Sequence, residues 1–342
     1  MFTRQLGRSG IQVSALGLGG WAIGGPFKGG QEEWGYGPTD DQESLKAIQA
    51  GMDHGVTLLD TAANYGAGHS EKLIGQAIKG RRDRVVISTK FGYRVLEDQK
   101  LVDGLEVYPE AIRASCEASL RRLGTDYIDL FFFHVGDHPA DQVDDVLEVL
   151  ETLVHEGKIR SYGWSTDDLT RAQAFAGGKH CTAIQHQLNL FEDNPEMLAL
   201  CETENLSSLN RGPLAMGLLT GKYNSGAHFP ATDLRSRNHP WMHYFKDGQP
   251  NPEWLKRLAD VRDILTSGGR TLSQGALAWL WARSPATLPI PGFRTVAQAI
   301  ENARALEFGP LTAQQMKEIQ HILEGASEPW PSEFASVRSF LS

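Results

Sequence analysis

The chain has 342 residues, of which 41% are hydrophobic, and a formal net charge of −9 at pH 7. This length suits one α/β barrel domain, which commonly needs about 250 residues and tolerates insertions. The acidic balance argues against a broad nucleic-acid-binding or anionic-membrane surface, although it leaves room for a local basic pocket that holds a phosphate.

The cysteines of the sequence are Cys116, Cys181 and Cys201. Their number is odd, and they show neither a C-x-x-C pair nor a zinc-ligand spacing, so we expect no disulfide scaffold and no metal site. A reducing compartment fits this pattern. The first residues lack the apolar core of a signal peptide, and no apolar run approaches the roughly 18 residues of a membrane span. We therefore expect a cytoplasmic protein without membrane or nucleic-acid partners, whose oligomeric state stays open.

In chain order, the first predicted element is a β-hairpin over residues 2–13, which turns at Gly7-Arg8-Ser9-Gly10. Short apolar runs that end in polar residues then predict eight strands, over residues 14–19, 56–60, 84–90, 128–134, 159–165, 183–189, 206–210 and 287–290. Segments with apolar residues at i, i+3, i+4 and i+7 predict helices over residues 40–54, 70–79, 109–123, 140–156, 166–175, 195–204, 271–283 and 295–305. Pro109, Pro195 and Thr295 are suitable helix starts.

The regular alternation of strand and helix predicts parallel strands joined by right-handed crossovers. Eight such units indicate an α/β fold of the (β/α)8, or TIM, barrel type, as a single domain over residues 1–342. The alternative is an open doubly wound sheet, which would more often have fewer strands and a G-x-G-x-x-G motif after the first one. Gly17-Leu18-Gly19-Gly20 lacks that spacing.

Three insertions interrupt the alternation, over residues 24–39, 92–107 and 223–253. All of them follow the carboxyl end of a predicted strand. In a barrel that is the face on which binding and catalysis occur. We therefore expect long loops over the C-terminal face.

Polar residues stand at the ends of three successive predicted strands: Asp60, Lys90 and His134, with Tyr65 five residues after Asp60. Singly, each has an ordinary structural explanation, as a turn or helix cap, a solvated boundary charge or a satisfied core histidine. Together they favour a functional site, because the strand ends of a barrel converge on one mouth.

The chemistry that suits this set is proton donation. A free tyrosine has a pKa of about 10 and is a reluctant acid at neutral pH. An ammonium group at Lys90 would stabilise the phenolate of Tyr65 and lower its pKa, and Asp60 could hold Lys90 charged and in place. His134 could hydrogen-bond and orient a substrate oxygen. Such a set suits protonation of a carbonyl oxygen as hydride reaches the carbon.

A series of motifs extends these residues over nearly the whole chain. In order they are Gly17-Leu18-Gly19-Gly20-Trp21, Leu59-Asp60-Thr61-Ala62-x-x-Tyr65-Gly66, Ser88-Thr89-Lys90, Leu130-x-x-x-His134, Glu156-Gly157-Lys158-Ile159-Arg160-Ser161-x-Gly163-x-Ser165, Ile184-Gln185, Gly212-Pro213-Leu214-Ala215-x-Gly217-Leu218-Leu219-Thr220-Gly221-Lys222, and Ile290-Pro291-Gly292 with Glu301-Asn302. The ordered set resembles the aldo-keto reductase superfamily, in its bacterial NADPH-dependent branch. The resemblance implies the (β/α)8 fold, an NADP-dependent oxidoreductase that reduces aldehydes or ketones, Tyr65 as general acid, Asp60 and Lys90 as its tuning pair and His134 as orienting group.

The resemblance also implies where NADPH binds, with NADH as the lesser alternative. Ser165 and Gln185 match positions that bind the nicotinamide carboxamide, and a glycine-rich loop packs over the pyrophosphate. Arg294, at a predicted helix start, could hold a 2′-phosphate together with backbone amides. The full set of implied cofactor residues is Gly20, Trp21, Ser165, Gln185, Arg211, Gly212, Leu214, Gly217, Lys222, Gly292, Arg294, Gln298, Glu301 and Asn302.

Two positions depart from the family pattern. Thr166 stands where the family often has Asn, which puts one carboxamide contact in doubt. Arg211 stands near the place of an aromatic residue that stacks on the nicotinamide, and its guanidinium plane could stack instead. Aromatic residues that follow the first predicted strand and the end of the third one are expected to line the substrate pocket and to suit apolar or aromatic carbonyl compounds. These are Trp21, Trp34, Tyr36, Phe91 and Tyr93.

Two other functions compete with the reductase. A regulatory subunit could bind the cofactor and turn over slowly, but an intact tetrad argues for turnover. A metal-dependent barrel hydrolase would need several histidines and carboxylates around a metal. His134, His138 and His186 are present, but no H-x-H follows strand one.

Overall fold

Apolar runs form strands and amphipathic runs form helices in the computed structural model, which describes residues 2–325. The strands are β1 Thr3–Gln5, β2 Gln12–Ser14, β3 Gly17–Gly19, β4 Phe27–Gly29, β5 Glu32–Trp34, β6 Leu58–Asp60, β7 Val86–Phe91, β8 Tyr93–Leu96, β9 Leu101–Leu105, β10 Ile128–Phe133, β11 Ile159–Ser165, β12 Cys181–Gln187, β13 Ser207–Arg211, β14 Phe245–Lys246, β15 Gln249–Pro250 and β16 Thr287–Pro289. The α-helices are α1 Asp41–Asp53, α2 His69–Ala77, α3 Pro109–Leu123, α4 Asp144–His155, α5 Leu169–Ala176, α6 Pro195–Thr203, α7 Pro252–Thr266, α8 Leu272–Arg283, α9 Val296–Arg304 and α10 Ala313–Glu324.

Eight of these strands are hydrogen-bonded side by side in the order β3, β6, β7, β10, β11, β12, β13, β16, and every neighbouring pair is parallel. Gly19 closes the ring, because it forms a parallel bridge to Gly292 and donates its N–H to the Pro291 carbonyl at 3.0 Å. A Cβ at position 19 would lie 2.7 Å from the Ile290 carbonyl oxygen, so this closure requires glycine. The predicted (β/α)8 barrel is confirmed.

The apolar core has two parts. The larger part lies between the strands and the surrounding helices, as in α4, which buries Val146, Leu150 and Leu153. The smaller part is built from alternate residues of the barrel strands, such as Leu130 and Phe132 of β10, together with Leu6 and Val13 at the N-terminal hairpin. Since successive side chains of a strand point to opposite faces, this alternation identifies the inward face of each barrel strand.

The hairpin β1–β2 is antiparallel and pairs Thr3 with Ser14. It therefore confirms the predicted N-terminal hairpin, with the short 3-10 helix Gly7–Ser9 inside its connection. Arg4 fixes the hairpin to the barrel by hydrogen bonds to the carbonyls of Ser284 and Thr287, at 2.7 and 2.8 Å.

Several predicted bounds differ from the observed ones. The strand predicted from residue 84 begins at Val86, because Arg84 belongs to a 3-10 turn. The helix predicted from residue 166 begins at Leu169, because the Asp168 side chain caps it by accepting the Arg171 N–H. The helices α7 and α10 were not predicted, and they pack against each other.

The first two insertions form one small sheet in the order β5, β4, β9, β8, with β4 and β9 parallel. The third insertion contains the hairpin β14–β15 and ends where α7 begins. It pairs with the first insertion, because Tyr36 bridges Asp233 and the Leu234 N–H donates to the Gly35 carbonyl at 3.0 Å. Loops from three strand ends thus cover the C-terminal face together.

The single domain predicted over residues 1–342 includes residue 1 and residues 326–342, which lie outside the described residues. Between residues 2 and 325, no helix combines the length and the apolar character that crossing a membrane would need.

Candidate active site

The inward faces of three neighbouring strands bring Asp60, Lys90 and His134 to one mouth. Alternate residues of a strand lie on the same face. Asp60 therefore shares a face of β6 with Leu58, and Lys90 shares a face of β7 with Val86. His134 continues the alternation of Leu130 and Phe132 in β10. The lower residues of each series fill the interior of the barrel. The upper, polar residues therefore lie above that apolar layer, at the C-terminal face.

Lys90 is at the centre of the polar cluster and is 1% exposed. Its Nζ donates to Asp60 Oδ2 at 2.7 Å, to the Thr61 carbonyl at 2.7 Å and to Tyr65 Oη at 3.2 Å. Asp60 Oδ1 accepts two further bonds, from Ser88 Oγ at 2.8 Å and from Gln185 Nε2 at 2.9 Å. The buried ion pair is therefore saturated with hydrogen bonds, which is the condition under which such a pair is tolerated.

Burial raises the pKa of Tyr65 above its usual value, although the charge of Lys90 acts in the opposite direction. The sequence predicts that the ammonium lowers this pKa. The Lys90 contribution has that sign, but desolvation outweighs it. Burial alone would lower the pKa of Lys90, but Asp60 and Tyr65 outweigh it and hold that pKa above its usual value. At neutral pH the site therefore contains a protonated phenol beside a charged ammonium.

His134 completes the cluster as a neutral group. Burial lowers its pKa well below 6.5, and the charges of Lys90 and Arg211 add to the effect. Its ring makes edge contacts with the rings of Tyr65 and Tyr93, at centroid distances of 6.0 and 5.8 Å. A neutral imidazole beside the Tyr65 hydroxyl can hydrogen-bond an uncharged oxygen without adding a second proton source.

A large cleft opens above the cluster, and its wall contains four of the five residues predicted for the substrate pocket. These are Trp21, Trp34, Tyr36 and Tyr93. Trp21 stacks on Tyr65 with a centroid distance of 5.4 Å.

The prediction for Phe91 is wrong. Phe91 is adjacent to the inward-facing Lys90 and so points outward, where its ring stacks on Phe131 and Phe133 in the core beneath the helices. It is 1% exposed and does not contribute to the cleft.

Most residues implied to bind the cofactor line the same cleft. These are Trp21, Ser165, Arg211, Gly212, Leu214, Gly217, Lys222, Gly292, Arg294, Gln298, Glu301 and Asn302. Gly20 and Gln185 lie behind the cleft wall and support Asp60: the Gly20 N–H donates to the Asp60 carbonyl at 2.7 Å, and Gln185 donates to its carboxylate.

The loop after β13 has a backbone shape that suits an anion. Gly212, Ala215, Met216 and Gly217 all have positive φ, from 47° to 95°, and Lys222 follows on the exposed side. Backbone N–H groups in such a conformation form a concave donor surface. A ligand with phosphate groups fits this loop.

Arg211 does not lie free to stack. Its guanidinium donates to the Asp167 carboxylate and to Gln187 Oε1, the latter at 3.0 Å. Asp167 and Gln187 were not among the predicted site residues, although each stands at or just beyond a strand end, as the predicted residues do. Thr166, the other departure from the family pattern, donates its hydroxyl to the Gly136 carbonyl at 2.8 Å.

Arg294 lies at the other end of the cleft, where its guanidinium donates to the carbonyls of Tyr36 and Pro38 in the first insertion. Its own N–H donates to Gln298 Oε1 at 2.8 Å. The first amide of α9, at Val296, is already bound by Glu43 Oε1 at 2.8 Å. A phosphate at this end would therefore rely on the guanidinium, which has five N–H donors in total, rather than on that amide.

Within residues 2–325, no group of three or more His, Cys, Asp or Glu side chains is arranged to hold a metal ion. His186, which the hydrolase alternative would need, is bound instead to Ser208 Oγ at 2.7 Å and to the Gln187 carbonyl at 3.0 Å.

Known proteins are similar to this chain over nearly its whole length. A model of the aldo/keto reductase family matches residues 15–324. The aldo-keto reductase YhdN of Bacillus subtilis (strain 168) is 34% identical over 336 residues, 95% of each chain. The aldo-keto reductase yakc of Schizosaccharomyces pombe, whose name specifies NADP(+), is 30% identical over 302 residues, 85% of each chain.

Two solved structures show the same fold. The glycerol dehydrogenase AKR11B4 from Gluconobacter oxydans superimposes with a TM-score of 0.79 at 32% identity, over 96% of this chain and 97% of that one. An aldo-keto reductase from Klebsiella pneumoniae in complex with NADPH superimposes with a TM-score of 0.67 at 30% identity, over 94% of this chain and 95% of that one.

Proposed function

This chain belongs to the aldo/keto reductase family, and we propose that it reduces aldehydes or ketones to alcohols with NADPH as the hydride donor. The observation that carries the proposal is the buried Asp60–Lys90–Tyr65 hydrogen-bond chain, which opens beside a neutral His134 onto the large cleft. NADPH, when bound, supplies a hydride to the carbonyl carbon.

Tyr65 supplies the proton that the reaction also needs. As the carbonyl oxygen gains negative charge, the Tyr65 O–H bond breaks and the proton passes to that oxygen, which leaves an alcohol and a phenolate. Lys90, 3.2 Å from Tyr65 Oη, stabilises the phenolate, and Asp60 keeps Lys90 charged and oriented. The tyrosine then takes a proton back from solvent before the next turnover.

His134 orients the carbonyl. As a neutral imidazole it donates an N–H to the substrate oxygen and positions it toward Tyr65. The rings of Trp21 and Tyr93 on the wall of the cleft exclude water from one side of this oxygen, which strengthens the hydrogen bonds to it.

The cleft residues suit NADPH. The positive-φ loop from Gly212 to Gly217, with Lys222, would hold the pyrophosphate, and Arg294 the 2′-phosphate. Ser165 would bind the nicotinamide carboxamide, whereas Gln185 would act through Asp60. The NADP(+) in the name of the fission-yeast relative and the NADPH in the Klebsiella complex support this assignment. The cytoplasmic location and the absence of nucleic-acid partners stay predictions from the sequence.

The test is steady-state consumption of NADPH with a panel of aldehydes and ketones. We expect repeated turnover by the wild type and a loss of at least about 100-fold in Tyr65→Phe, because general acids contribute on the order of 10²–10⁴ in rate. NADPH binding by Tyr65→Phe, followed by cofactor fluorescence, should be retained. Tyr108→Phe is the matched control and should keep the turnover, since Tyr108 is 56% exposed and does not line the cleft. Tight NADPH binding with no more than one turnover on every carbonyl compound would instead identify a binding or regulatory protein.

A further inference from the structure

We propose that Asn64 is a specificity-determining residue that binds a hydroxyl group next to the substrate carbonyl, so that the preferred substrates are hydroxy-aldehydes and hydroxy-ketones. The inference rests on the proposed reductase function and assigns it a substrate class.

Asn64 lies in an inner pocket against the two groups that would contact the carbonyl, Tyr65 and His134. The other walls of that pocket come from Trp21, Phe27, Trp34 and Val102. Asn64 is 7% exposed. Its Oδ1 is buried and accepts no hydrogen bond from any residue that the structure describes.

Such an acceptor is unfavourable, because a buried polar atom that loses its water without gaining a partner costs free energy. The turn that carries Tyr65 does not explain it. That turn is held by backbone bonds, from the Ala67 N–H to the Asn64 carbonyl at 3.1 Å and from the Tyr65 N–H to the Ala62 carbonyl at 3.1 Å. The side-chain oxygen of Asn64 is therefore available to accept a hydrogen bond from a ligand.

The ligand group must be a hydrogen-bond donor, and it must lie near the reacting carbon, since Asn64 lines the same inner pocket as Tyr65 and His134. A hydroxyl meets both conditions, and it can also accept a bond from the amide nitrogen of Asn64. An ammonium group is disfavoured, because the positive charges of Lys90 and Arg211 already oppose a proton on His134 in the same pocket. A neutral hydroxyl on the carbon next to the carbonyl is thus the best match.

The experiment compares substrates that differ only in a hydroxyl or a methyl group: hydroxyacetone against 2-butanone, and glycolaldehyde against propanal. Wild type and Asn64→Leu are assayed with all four. In Asn64→Leu we expect kcat/KM for the hydroxy substrates to fall about 10-fold, the loss of one neutral hydrogen bond. Activity on the methyl analogues, 2-butanone and propanal, should not fall. The loss should lie in KM, because the bond is made equally in the ground state and the transition state.

Val102→Ala is the matched control, since it changes the volume of the same pocket without changing its hydrogen bonds. It should affect both members of each pair alike. NADPH affinity of Asn64→Leu, measured by cofactor fluorescence, should equal that of the wild type.

Three results would overturn the proposal. Equal losses of kcat/KM for the hydroxy substrates and their methyl analogues would mean that Asn64 acts on the shape of the Tyr65 turn. Unchanged selectivity would mean that an ordered water satisfies the amide. Activity of the wild type on other aldehydes but on none of the hydroxy substrates would exclude this substrate class. Absence of turnover on every carbonyl compound is a different result, because it rejects the reductase function itself.

Discussion

The protonation states of Tyr65 and His134 are set by burial, in opposite directions. Desolvation favours the neutral form of each group, so the pKa of Tyr65 lies above 10 and the pKa of His134 lies well below 6.5. Both groups are therefore neutral over the whole physiological range. A protonated phenol that donates and an uncharged imidazole that orients are the states that carbonyl reduction requires.

The pH dependence of reduction follows from these two shifts. We expect kcat to be flat from about pH 6.5 to about pH 9, because neither group titrates there, and to fall only at alkaline pH as Tyr65 loses its proton. The measurement is kcat for one aldehyde across this range with saturating NADPH. His134→Gln should be slower but should keep the same profile. An inflection near pH 6.5 that disappears in His134→Gln would show that the imidazole titrates at its ordinary pKa.

At the level of single residues, the sequence predicts what depends on strand alternation. Asp60, Lys90 and His134 could be placed at one mouth because each ends a strand. The same rule, applied one residue further, would have placed Phe91 on the opposite face from Lys90 and removed it from the pocket. The pairing of Arg211 with Asp167 and Gln187 joins three separate strand ends, so its choice of partner depends on distances that alternation does not give.

Among the larger elements, the barrel strands and most helices were predictable because each is specified by a local period. The sheet of β4, β5, β8 and β9 was not, since it joins two insertions through residues more than 70 positions apart, such as Lys28 and Leu101. Glycine-rich segments carry little periodicity, and long-range pairing leaves no local signal. The helices α7 and α10 were not predicted, because the alternating pattern predicts one helix for each barrel strand.

Arg294 connects the first insertion to the large cleft, because it lines the cleft and donates to the carbonyls of Tyr36 and Pro38. We expect Arg294→Ala to weaken NADPH binding about 10-fold or more, the worth of a charge-assisted hydrogen bond to the 2′-phosphate, and to change NADH binding much less. Dissociation constants for both cofactors, measured by fluorescence titration, provide the comparison.

A control separates the phosphate contact from the contact to the insertion. Arg237 also donates to a backbone carbonyl of the first insertion, at Glu33, but does not line the cleft. Arg237→Ala should therefore leave the preference for NADPH unchanged. If Arg294→Ala weakened NADPH and NADH equally, Arg294 would act by holding the insertion in place, and the 2′-phosphate would be bound elsewhere.

For the whole molecule, closing the barrel buries titratable groups that an unfolded chain leaves in water. His186 is the clearest case outside the active site: it is fully buried between β12 and β13, and burial lowers its pKa from 6.5 to about 4. His186 therefore becomes protonated at a lower pH in the folded state than in the unfolded state. The contribution of the buried, neutral His186 to the free energy of unfolding is therefore fully present above pH 6.5 and is lost between pH 6.5 and about pH 4.

This shift corresponds to about 3 kcal/mol in the free energy of unfolding, and the lowered pKa of His134 acts in the same direction. Urea unfolding at pH 7 and at pH 4, followed by tryptophan fluorescence, measures the difference. His186→Gln should lose about 3 kcal/mol less than the wild type between these two pH values, whatever its stability at pH 7. His155→Gln, which changes an exposed histidine of α4, should match the wild type. If His186→Gln lost as much stability on acidification as the wild type, His186 would not be the group that the closed barrel keeps neutral, and the acid sensitivity would have to come from other groups.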